Sequence, residues 1–126
     1  MTEPKTNRPI ASLRDELAHQ VVSVLGNDFH PPRKDTYYQG LACCVRSRLI
    51  EKWLKSQRGY YDRNVKRVYY LSMEFLPGPF LKNYSGSLRL DEAIAEALEG
   101  TGFSLEELAE EERDPGLGNG GLGRLA

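Results

Sequence analysis

Arg67-Val68-Tyr69-Tyr70-Leu71-Ser72-Met73 is the one run in the chain rich in β-branched and aromatic residues, and it lacks the alternation of a half-buried strand. It reads as a strand, about residues 67–73, covered on both faces. One strand cannot make a sheet, and a buried one leaves its N–H and C=O groups without ladder partners on either edge. Everything around it reads as helix or turn, so neighbouring strands are expected in sequence beyond these 126 residues. The expected fold class is α/β, mostly helical here with one core strand. Leu122-Gly123-Arg124-Leu125-Ala126 looks like a helix cut off in its first turn, and the chain reads as an amino-terminal fragment.

Apolar spacing and capping residues place the helices. Ser12-Leu13-Arg14-Asp15 resembles a capping box, and Leu13, Leu17, Val21, Val24 and Leu25 recur at helical spacing up to Gly26, giving a helix over about 12–25. Pro31-Pro32 marks a connector that cannot continue it. Asp35 is a candidate cap for a helix over about 36–57, with an apolar stripe running from Tyr38 through Leu41, Val45 and Leu49 to Trp53 and Leu54. Gly40 is expected to weaken its first turns. Pro77-Gly78-Pro79 ends the strand, and a short irregular or helical piece follows. Asp91 is a candidate cap for a helix over about 91–99, and Ser104 with Glu107 opens another over about 104–112.

Composition narrows the function classes. Lys plus Arg at 17 against Asp plus Glu at 18 gives a net charge of -1, without the basic excess of a dedicated nucleic-acid binder. A mean hydropathy of -0.54 leaves no room for a membrane span, so neither nucleic acid nor membrane is expected as a partner. Charge is segregated along the chain: eight basic residues against Glu51 and Asp62 between Val45 and Arg67, then ten acids against Arg113 between Asp91 and Asp114. Such segments form solvated helix faces or pair with each other or with neighbouring surfaces. Cys43 and Cys44 are adjacent and make no ordinary disulfide framework, which with a polar start favours a cytoplasmic protein. His19 and His30 have no partners at ligand spacing, and no metal site is expected.

Two features carry possible chemistry. Between Gly116 and Gly123 five of eight residues are glycine, within a loop expected over about 115–123. Glycines allow positive φ and can turn successive amides toward one point, and a helix opening near Gly121 would add unpaired N–H groups. Together these favour a phosphate or another oxyanion. The dinucleotide fingerprint fails because no strand leads into the loop, and the P-loop fails because Arg124-Leu125 follows instead of Lys and a hydroxyl residue. A purely structural turn is the alternative. Glu74 follows the strand directly, where ligands of open α/β sheets gather. It either orients a sugar or base, or pairs with a cation such as Lys66 or Arg67.

The string from Arg67 through Ser72-Met73-Glu74-Phe75-Leu76, followed about forty residues later by Asp114-Pro115-Gly116-Leu117-Gly118-Asn119-Gly120-Gly121-Leu122-Gly123-Arg124, closely resembles the amino-terminal signature of α-1,4-glucan phosphorylases, the family of glycogen, starch and maltodextrin phosphorylases. Tyr37-Tyr38-Gln39-Gly40-Leu41-Ala42, Val45 to Leu49, Trp53 and Tyr60-Tyr61 extend the resemblance to roughly Leu25–Ala126. It implies part of the amino-terminal catalytic domain of a two-domain glycosyltransferase-B fold. It also implies retaining phosphorolysis of terminal α-1,4-glucosidic bonds, with α-1,4-glucan and inorganic phosphate as partners and glucose 1-phosphate as product. The cofactor implied is pyridoxal phosphate, on a lysine absent from this chain, and the full-length protein is expected to be a homodimer. By the same resemblance, Gly120 and Gly121 face the substrate phosphate, Leu122 lies beside the glucosyl site, and Glu74 belongs to the active-site surround.

The catalytic set is incomplete in this chain, so residues 1–126 alone are expected to be inactive. Pro79 stands where the family commonly has Arg, removing a guanidinium from that position. Tyr61 matches an aromatic position of the family's nucleotide-activator site, whereas Arg58 replaces a residue that is often Gln. The competing reading is a non-catalytic module that keeps the loop as an anion site or associates through its helices.

Overall fold

The computed structural model describes residues 12–27, 31, 33–113 and 116–121. Ser12 starts the first helix, α1 (Leu13–His19), by accepting the Asp15 N–H at 3.2 Å while its hydroxyl donates to Asp15 Oδ2 at 2.8 Å. The chain continues through a π-helical turn, Gln20–Val24, and leaves the helix at Gly26, whose φ of +64° suits a residue without Cβ. Leu13, Leu17 and Val21 are buried. Val24, expected on the same face, is exposed because the wider turn rotates it off the α-helical register.

The second helix, α2, spans Lys34–Asp62 and is the longest element. Its N-cap is Arg33, with extended backbone and no side-chain cap, so the expectation that Asp35 caps it is corrected. Asp35 lies in the first turn, where the Arg33 guanidinium grips both carboxylate oxygens at 3.1 and 2.7 Å and holds the carboxyl below the usual carboxylate range. Tyr37, Leu41, Cys44 and Val45 are buried against α1 and the later helices. The stripe then runs out of partners, leaving Trp53 58% exposed and Leu54 43%. Gly40 is buried at the α1–α2 crossing, where an added Cβ would stand 3.0 Å from both Leu17 Cδ1 and Val21 Cγ2. Its missing side chain is what lets the two backbones approach.

Three short helices close the core. α3 (Phe80–Ser87) is capped from a distance by Glu112, which accepts the Phe80 and Leu81 N–H groups at 2.5 and 2.9 Å. α4 (Asp91–Leu98) has Leu90 at its N-cap, so Asp91 is not the cap expected but an acid in the first turn, near the positive end of the helix. At its other end Arg14 donates to the carbonyls of Glu96 and Glu99 at 3.0 and 2.9 Å. α5 (Leu105–Ala109) carries a reciprocal capping box: Ser104 N–H to the Glu107 carboxylate at 2.8 Å, and Glu107 N–H to Ser104 Oγ at 3.2 Å. It ends at Ala109, short of the expected 112, and Glu112 is free to turn toward α3. Ile94, Leu98 and Leu108 join Leu41 in the core, each such buried side chain stabilising the fold by about 1.5–3 kcal/mol.

The acidic segment pairs with cations outside the basic run: Lys34 with Glu110 and Glu111, Arg14 with Glu99, and Lys82 with Glu106. Within the basic run, Arg48 meets Glu16 at 2.6 Å across the α1–α2 contact, and Arg67 lies 4.5 Å over the Tyr61 ring.

The expected core strand over 67–73 is not formed. The described residues contain helices and no strand, and Val68, Leu71 and Met73 are each about nine-tenths exposed. A doubly buried strand needs cover on both faces and a ladder on each edge, and the described residues supply neither. The β pairing that does form is a single antiparallel bridge, Phe75 to Leu117.

Candidate functional site

That bridge brings the two chemical features of the sequence together. Phe75 N–H donates to the Leu117 carbonyl at 2.9 Å, and Leu117 N–H returns to the Phe75 carbonyl at 3.1 Å, pinning the start of the glycine loop beside Glu74. Ser72 sets the backbone of Glu74. Its hydroxyl donates to the Glu74 carbonyl at 2.8 Å and accepts the Glu74 N–H at 3.1 Å.

The Glu74 side chain then lies in the loop. A Cβ on Gly118 would stand 2.7 Å from Glu74 Cγ and 3.0 Å from its Cα, and a Cβ on Gly120 would overlap the Glu74 carboxylate. Gly118 has φ +116°, a conformation closed to most L-residues, so it is required twice over, by backbone and by space. Gly120 is required by space alone. Gly121 has no described atom within 4 Å of its would-be Cβ. Of the residues expected at the site, the structure gathers Glu74 and Gly120 in contact and places Gly121 next to Gly120 in the same loop. Leu122, and the helix opening expected after it, lie outside the described residues.

The contact between Glu74 and the loop escaped the sequence reading. Its one local signal was Ser72, two residues before Glu74, in the pattern of a hydroxyl-braced turn. Among the described residues Glu74 makes no ion pair with Lys66 or Arg67; Arg67 stacks on Tyr61 instead. Glu112 as a remote cap had no sequence signal at all.

Two clefts lie elsewhere. One, of about 760 Å³, separates α4 from α5 beside Glu96, Glu99 and Glu106; the other, of about 270 Å³, lies between α2 and α3 and is lined by Tyr38, Val45, Phe80 and Tyr84. Neither is lined by a lysine or by Glu74. Among the described residues no cluster of His, Cys, Asp or Glu could hold a metal ion, and no helix is long and apolar enough to cross a membrane.

By sequence the chain belongs to the glycogen phosphorylase family, whose members it matches at 43–50% identity over 93% of its length. No family model matches it. Among particular relatives, it is 50% identical over 117 residues to the muscle form of glycogen phosphorylase from Mus musculus, and 44% identical to the brain form from Bos taurus and to the liver form from Homo sapiens. The chain spans 14% of the length of each of these relatives.

Proposed function

We propose that the chain is the part of an α-1,4-glucan phosphorylase that lines the substrate-phosphate site, within the amino-terminal catalytic domain of a glycosyltransferase-B fold. The reaction is phosphorolysis of terminal α-1,4-glucosidic bonds of glycogen, starch or maltodextrin to glucose 1-phosphate, in the cytoplasm, by a protein that is a homodimer when full length. The observation that carries this reading is the seating of Glu74 in the glycine loop, within a chain 43–50% identical to glycogen phosphorylases.

In this reading the Gly120 and Gly121 amides donate to the phosphate, Leu122 borders the glucosyl unit, and Glu74 lines the surround. Hydrogen bonds to a charged group contribute about 1.5–3 kcal/mol each. Enzymic barrier reductions run from about 8 to 23 kcal/mol, so the loop supplies binding and orientation, not the whole reaction. Pyridoxal phosphate is the cofactor this reading implies. Lys34 is held by Glu110 and Glu111, and Lys52, Lys55, Lys66 and Lys82 are exposed, so the described lysines do not fit that group and no step through it is assigned to them. In the same reading, residues 67–73 become a strand where the remaining catalytic domain covers them.

A segment exchange tests the proposal. The matching 117 residues of the mouse muscle-form enzyme are replaced by those of this chain, and glucose 1-phosphate release from glycogen and inorganic phosphate is measured. An active chimera is expected. A chimera that folds and takes up pyridoxal phosphate but releases no glucose 1-phosphate overturns the assignment in favour of a non-catalytic anion-binding or helical module.

A further inference from the structure

A carboxylate inside an anion-binding loop poses a physical problem. Glu74 lies against Gly118 and Gly120, so an anion held by the loop amides would stand close to its carboxylate. Its backbone is held there by Ser72 and by the Phe75–Leu117 bridge, which keeps the side chain rooted beside the loop. An ionised carboxylate is acceptor-only. A fully deprotonated oxyanion beside it meets like-charge repulsion with no hydrogen bond to offset it. Phosphate differs, because at neutral pH each of its ionic forms keeps at least one P–OH, which can donate to the carboxylate while the remaining oxygens accept from loop amides.

We propose that Glu74 is a specificity-determining residue that makes the glycine loop select protonated oxyanions, of which inorganic phosphate is the type, over acceptor-only oxyanions such as sulfate. The inference rests on the loop being the substrate-phosphate site, and adds what that site discriminates and by which atom. The two anions are close in size and tetrahedral shape, so the loop amides alone do not separate them. The Glu74 carboxylate separates them by what it can accept. A hydrogen bond made to a charged acceptor by one ligand and denied to the other corresponds to about 10- to 100-fold in affinity.

The test is a pair of titrations on the ¹⁵N-labelled 126-residue chain, with inorganic phosphate and with sulfate at matched ionic strength, read from the amide shifts of Gly118, Gly120 and Gly121. The wild-type chain is expected to bind phosphate at least about tenfold more tightly than sulfate. In Glu74→Gln the carboxamide can also donate, so sulfate binding rises and the preference falls to about twofold or less. Glu74→Ala is a second variant, expected to lose the preference by removing the acceptor, and the wild-type ratio is informative without any variant. Equal binding of the two anions by wild type, or a preference that survives both substitutions, overturns the selectivity role while leaving the loop an anion site. Absence of binding by either anion to every form overturns the anion-site reading itself, and the selectivity with it.

Discussion

Gly40 and Gly59 lie in the same helix, and changing each to Ala is expected to shift stability in opposite directions. At Gly59 an added Cβ meets nothing within 4 Å, so only the backbone term acts. Ala at a helical position is favoured over Gly by about 0.8–1 kcal/mol, and Gly59→Ala should stabilise the chain by up to that amount. At Gly40 the same gain is opposed by two methyls at 3.0 Å, belonging to Leu17 and Val21, which are 2% and 0% exposed and have nowhere to retreat. Overpacking of this kind costs about 1–3 kcal/mol, leaving Gly40→Ala net destabilising by about 1 kcal/mol. The two variants should therefore differ by about 2 kcal/mol, close to 30-fold in the folding equilibrium. Urea unfolding followed by far-UV circular dichroism reads both. A double-mutant cycle adds the cause: in a Leu17→Ala background the penalty at Gly40 should shrink or reverse, because the clashing methyl is gone. A Gly40→Ala chain more stable than wild type, or a penalty unchanged by Leu17→Ala, refutes the account of the α1–α2 crossing.

Ser104→Ala removes the cap of α5 and should cost about 1 kcal/mol, seen as a lower urea midpoint. The Glu107 carboxyl is held below its ordinary value of 4.5, first by the Ser104 N–H and then by the Ser104 side chain. That contribution is complete above the unfolded value and is lost as pH falls through the lower folded one, so Glu107→Gln should flatten the acid side of the stability profile. Burial pushes the Cys44 thiol up to about 12, with Glu16 acting in the same direction, whereas Cys43 is only half-buried. A thiol reagent at mildly alkaline pH should label Cys43 in the native chain and Cys44 only after denaturant is added. Chymotrypsin should first cut the native chain near Tyr69, Tyr70 and Leu71, which are 74–91% exposed, and a first cut at Tyr37 or Leu41, in the buried part of α2, would contradict the described exposure. Residues 1–126 alone should release no glucose 1-phosphate from glycogen, and measurable release would contradict the division of labour proposed for the loop.

Local chemistry was the part of the fold legible in the sequence. Ser104 and Glu107 form a box because three residues of spacing is all that pattern requires, and Gly26 ends a helix by the conformation only glycine takes easily. Long-range choices were not legible. Arg33, not Asp35, takes the N-cap position of α2 and grips the Asp35 carboxylate inside the first turn, and Glu112, beyond the end of α5, caps α3, outcomes set by which groups meet in space. Residues 67–73 do not form the expected strand among the described residues for a related reason: they are suited to burial, but suitability does not provide a cover. At the site, the glycine density announced close approach without saying of what. The answer, Glu74, was named separately because more than forty residues separate it from the loop and no local pattern joins them.

The uneven footing of α2 has a mechanical consequence. At 1.5 Å per residue its 29 residues form a rod about 43 Å long, clamped by the core from Tyr37 to about Leu49 and unsupported beyond. The overhanging thirteen residues are too few to hold helical form well by themselves, so they borrow it from the clamped end. Amide exchange along the rod should accordingly quicken from root to tip, with Asp62 unwinding long before Leu41, and whatever grips the tip would stiffen the whole span.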